Sequence, residues 1–121
     1  MSGEEARGFI ARIGLAAWVV VLMWTSLAPA EYVPGAASVS DKVLHLVAYL
    51  VLGALCVFAL PRVRPLVILA GITAFGLLME VLQYFTGYRA FEWTDLLSDV
   101  IGAAIGMTAA LIVADVLRRR A

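Results

Sequence analysis

The residues of this chain able to do chemistry fall into small sets: Asp41, Lys42 and His45; Glu80 and Gln83; Arg89; Asp95 and Asp99. Asp41 and His45 are four apart and Glu80 and Gln83 three apart. Asp95, Asp99, Gly102 and Gly106 step by four, three and four, so the members of each set share one helix face. Glu80 and Asp99 are lone charges inside strongly apolar stretches. A carboxylate there is expensive unless it faces protein, interfacial water or a cation such as Arg89 or Lys42.

Several chemistries fit these residue types. A carboxylate such as Glu80 or Asp99 can serve as general acid or base. His45, the single histidine, with oxygens from Asp41, Glu80, Asp95 and Asp99, offers ligands to a divalent ion. The planar fork of Arg89 suits a phosphate or a carboxylate, and Arg89 is also a plausible ion-pair partner for Glu80. Each has a plainer counterpart. His45 reads first as a hydrogen-bond partner of a carboxylate on another helix, so no metal and no cofactor is assigned. Glu80 reads equally as a packing contact that fixes helix registry. Glu92 reads as a solvated loop charge, and Thr94 or Asp95 as the start of the last helix. There is no Ser-His-Asp spacing, P-loop or GxGxxG, and the lone Cys56 excludes an intrachain disulfide and a CxxC site.

The elements that must position these side chains are apolar. Of 121 residues, 64% are hydrophobic, and the mean hydropathy is +0.98, well beyond an ordinary soluble domain. Residues 13–28 and 43–60 contain no Asp, Glu, Lys or Arg; residues 66–85 contain only Glu80 and residues 96–114 only Asp99. At about 1.5 Å per residue each stretch crosses or nearly crosses a ~30 Å hydrocarbon layer, the first with Arg12 snorkelling to the interface. Pro29, Pro34, Pro61 and Pro65 all fall between them. The expected fold is all-α: one domain over residues 1–121, a bundle of four transmembrane helices at about 8–28, 43–60, 66–85 and 96–116.

Basic residues set the expected orientation. Arg7, Arg12, Arg62, Arg64, Arg118, Arg119 and Arg120 share one side, against Lys42 and Arg89 on the other. The positive-inside rule then puts both termini in the cytoplasm, N-in and C-in, and the loops around 29–41 and 86–94 outside. Ala28-Pro29-Ala30 resembles a signal-peptide cleavage site, but the long first apolar run with Trp18 and Trp24 reads better as a retained helix. In this topology all the polar sets lie in one leaflet, beside an outer belt of Tyr32, Tyr84, Tyr88, Phe91 and Trp93. Arg118 to Arg120 are expected to contact anionic lipid, and nothing points to nucleic acid.

The run Asp41-Lys42-x-x-His45-x-x-x-Tyr49, then Glu80-x-x-Gln83, Arg89, and Asp95-x-x-x-Asp99-x-x-Gly102-x-x-x-Gly106 resembles the VanZ-like family of small bacterial integral membrane proteins. The resemblance extends from about Trp24 to Gly106 and includes Thr25, Ser26 and Pro29; Asp99 departs from it, standing where the family is expected to have Asn. It implies a multi-pass protein of the bacterial cytoplasmic membrane and cell envelope, linked to resistance to the glycopeptide teicoplanin, and no defined reaction. The expected function is binding of an envelope lipid or a lipid-linked cell-wall precursor in an outer-leaflet pocket built from Asp41, Lys42, His45, Glu80, Gln83, Arg89, Asp95 and Asp99. The alternatives are a membrane enzyme using a carboxylate acid or base on such a lipid and, third, an ion or proton pathway. The third is disfavoured because the polar groups gather near one face.

Overall fold

A computed structural model describes residues 1–33 and 40–120 as four helices: α1 (Gly3–Leu27), α2 (Asp41–Ala59), α3 (Pro65–Phe85) and α4 (Trp93–Arg120), with a 3₁₀ turn at Ala30–Tyr32 after α1. All four are long and apolar enough to cross a membrane. The all-helical four-span expectation therefore stands. Pro34 and the rest of residues 34–39, within the loop expected outside at 29–41, lie beyond the described residues.

Helix ends differ from the expected ones where polar residues extend a helix past its apolar run. α1 begins at Gly3 because Ser2 and Glu5 form a capping box: the Glu5 amide donates to Ser2 Oγ (3.1 Å) and the Ser2 amide to the Glu5 carboxylate (2.6 Å). α2 begins at Asp41 because Ser40 Oγ accepts from the Val43 amide. Pro65 occupies the first turn of α3, where its missing N–H costs nothing. α4 begins at Trp93, so neither Thr94 nor Asp95 precedes it; the Glu92 carbonyl accepts from the Asp95 and Leu96 amides.

α2 and α4 form the most extensive helix pair, and glycine is the reason they approach so closely. A Cβ on Gly102 or Gly106 would run into the Leu46 or Leu50 carbonyl of α2, and one on Gly53 would lie 2.5 Å from the Ala103 carbonyl oxygen of α4. In a lipid solvent, where apolar burial gives little drive for helix association, such close main-chain packing supplies much of it. The core beside this seam contains Tyr49, Leu52, Cys56, Ile72, Ala103 and Met107. Large apolar side chains such as Ile10, Val20, Leu66, Leu97 and Ile112 project from the outer faces, as a hydrocarbon surround requires.

α1 lies against this unit through side-chain donors that reach main-chain carbonyls. Arg12 Nε donates to Ala59 O (3.1 Å) and Trp18 Nε1 to Ala48 O (2.9 Å). At its other end, Arg89 Nη1 donates to Ala28 O (3.1 Å) and Tyr88 Oη to Leu27 O. The bundle thus has two distinct ends: one carries Leu27, Asp41 and the 86–92 loop, the other Ala59, the 60–64 loop and the arginines of α4. The polar residues singled out above gather at the first.

Candidate functional site

His45, four residues into α2, is the hub of the polar end. Its Nδ1 lies 2.7 Å from Asp99 Oδ1 on α4, and its Nε2 lies 3.7 Å from both Asp41 Oδ2 and Asp95 Oδ2. Helical spacing aims it: Asp41, His45 and Tyr49 share one stripe of α2, and the His45 and Tyr49 rings lie nearly parallel with centroids 6.5 Å apart. The cross-helix hydrogen bond expected of His45 is present.

Lys42 forms the rim. Its Nζ contacts Asp95 Oδ1 at 2.5 Å and Glu92 Oε2 at 2.6 Å. The rim residues Asp41, Lys42 and Glu92 are 53%, 43% and 49% exposed at their side chains, whereas Asp95 beneath them is buried. This places Glu92, expected to be a solvated loop charge, in an ion pair.

The floor is closed. Glu80, Gln83 and Asp99 are almost wholly buried, with 0%, 2% and 1% exposure. Glu80 Oε2 accepts from the Glu92 amide (3.3 Å), immediately before α4, so a carboxylate from α3 serves the N-terminus of α4 where the helix dipole favours negative charge. Among the described residues, Glu80 Oε1 and Asp99 Oδ2 are buried without a hydrogen-bond partner. Gly76, one turn before Glu80, makes room for the second: a Cβ there would lie 3.1 Å from Asp99 Oδ2.

Arg89 is the one member of the candidate set used elsewhere. Its guanidinium caps the carbonyls at the end of α1, Ala28 and Thr25, a favourable place for a cation at a helix C-terminus. Among the described residues no ion pair joins it to Glu80, because Glu80 points to the start of α4 instead. Tyr49 and Glu92 belong to the site although they stood outside the expected set. The Asp41-His45-Tyr49 stripe signalled the first, and nothing local signalled the second.

The cluster is strongly acidic: Asp41, Glu80, Glu92, Asp95 and Asp99 surround Lys42 and His45. Two groups are compact enough to hold a cation, Asp41–His45–Asp95 and His45–Glu80–Asp99, with ligand atoms within 4.8 Å of one another in each. At the same end, a largely apolar hollow of about 550 Å³ is lined by Met23, Trp24, Leu27, Ala28, Pro29 and Tyr32. A cavity of about 750 Å³ opens at the opposite end, with Arg7, Arg62 and Arg118 among otherwise mainly apolar walls.

Compared with known proteins, residues 9–114 match the family model described as VanZ/LLP1. Neither the curated proteins nor the solved structures give a match.

Proposed function

The chain belongs to the VanZ/LLP1 family of membrane proteins, and from that premise we propose that it binds the polar head of an envelope lipid, or of a lipid-linked cell-wall precursor, at the His45 end of the bundle. The observation that carries this reading is the gradient from an exposed charged rim at Asp41, Lys42 and Glu92 to a buried polar floor at Glu80, Gln83 and Asp99. A polar recess opening at one end of an apolar bundle suits a molecule with a polar head and an apolar tail. The apolar hollow beside Trp24 and Tyr32 gives such a tail a surface at the same end.

The charge balance narrows the ligand. With five carboxylates against Lys42 and His45, and Arg89 engaged at the end of α1, the recess favours hydrogen-bond donors and positive charge. Hydroxyl- and ammonium-bearing heads fit it better than a bare phosphate. We place the His45 end at the outer face of the bacterial cytoplasmic membrane, on the basic asymmetry of the loops and termini. A protein holding a wall precursor there would alter what teicoplanin reaches, which is the route we propose to a resistance phenotype.

The test is to identify lipid released from the detergent-purified protein after chelator treatment, comparing the wild type with Asp95→Asn and Glu92→Gln. The reading expects one head-group class enriched over the bulk membrane lipid and lost from both variants. Lipid in bulk proportions from all three proteins would refute it. The unpartnered oxygens of Glu80 and Asp99 favour a second reading, a membrane enzyme whose carboxylate moves a proton on such a lipid. Chemical conversion of the enriched lipid by wild-type protein, abolished by Glu80→Gln, would select it.

A further inference from the structure

We propose that His45, Glu80 and Asp99 form a binding site for one divalent transition-metal ion of the zinc type. The three residues come from α2, α3 and α4, and their ligand atoms lie within 4.8 Å of one another. Ligands around a tetrahedral zinc stand roughly 3.3 Å apart, given bonds of about 2.0–2.2 Å, so modest side-chain movement closes the set.

Two observations favour this inner group over Asp41–His45–Asp95. Glu80 Oε1 and Asp99 Oδ2 are buried with no partner among the described residues, and an unpaired carboxylate oxygen in such surroundings is costly. The neighbouring cations are also committed: Lys42 to Asp95 and Glu92, Arg89 to the end of α1. Among the described residues, His45 is therefore the one cationic side chain left beside these two carboxylates. A divalent ion supplies the missing charge and takes up the unpaired oxygens. With His45 Nδ1 turned to the ion in place of its bond to Asp99, Nε2–H faces Asp41 and Asp95, the carboxylate-oriented imidazole that metal sites favour.

The site deepens the lipid-head reading without depending on it, since an ion on the floor would let an acidic recess accept a phosphate-bearing head. Metal binding is therefore measured on lipid-free, chelator-stripped protein in detergent, whereas the lipid test is done with chelator present, so that each can fail alone. Titration with zinc should show one equivalent bound. As His45 is the single histidine, its imidazole resonances in the wild type report the ion directly and should shift on binding. Glu80→Gln and Asp99→Asn should each weaken binding by at least about tenfold, and Asp115→Asn, at the far end of α4, should not. Unmoved His45 resonances at saturating zinc would overturn the proposal. So would binding that survives Glu80→Gln and Asp99→Asn but is lost in Asp41→Asn, since that would put the ion on the outer group.

Discussion

Asp99 is where structural and chemical roles separate most cleanly. Its Oδ1 meets His45 Nδ1, and its Oδ2, near Gly76, has no partner among the described residues. Asn at this position keeps the shape and an acceptor for His45, and sheds the cost of burying a charge. Asp99→Asn should therefore melt close to the wild type in detergent. Asp99→Leu leaves the imidazole nitrogen unpaired and should lose about 1–3 kcal/mol of stability. A marked loss in the Asn variant would mean that the carboxylate charge itself holds the bundle together. The bond from His45 to a carboxylate on another helix was legible in the residue types and their spacing. The pairing of Glu80 was not: its partner is a main-chain amide twelve positions away, set by where α4 starts and by nothing in the identity of Glu92. Arg89 was read as a partner for Glu80 or a ligand for a phosphate or carboxylate, yet it meets carbonyls at the end of a helix, acceptors that no side chain announces.

The helices themselves could be read almost whole, because apolar composition and proline punctuation are carried residue by residue. What hydropathy concealed were polar first turns such as Gly3 to Arg7, built by a capping box. Gly102 and Gly106 continue the face that bears Asp95 and Asp99, and both meet α2 main chain, so the acidic face is an interior one. Gly106→Ala or Gly53→Ala must push α2 and α4 apart, at a cost of about 3 kcal/mol. Gly71→Ala, where an added Cβ meets nothing within 4 Å, should change stability by less than about 0.5 kcal/mol. Melting temperatures of the three variants check this, and equal losses would remove the seam from the account. α1 depends on a different contact. Replacing Arg89 with Gln removes its charge-assisted bonds to the last carbonyls of α1, worth about 1.5 kcal/mol. Amide exchange in the final turn of α1 should accelerate by about tenfold, with α2 and α4 unaffected. Unchanged exchange there would assign the anchoring to Tyr88 or to packing alone.

At the scale of the whole molecule, an apolar cylinder carries six of its nine acids and its only histidine at one end and most of its arginines at the other. The division gives the two ends different chemistry: an acidic recess at one and a cluster of arginines at the other. The proposed ligand, its leaflet and the resistance phenotype all require the His45 end to face outward. Labelling of intact cells with a membrane-impermeant maleimide tests this directly, in protein whose buried Cys56 is replaced by Ala and which carries one new cysteine at an exposed loop position. Ala90→Cys, in the loop beside the acidic cluster, should label in intact cells, and Val63→Cys, between Arg62 and Arg64, should label only after the cells are opened. Labelling of Val63→Cys in intact cells, with Ala90→Cys protected, would put the recess in the cytoplasm and contradict an outer-leaflet ligand.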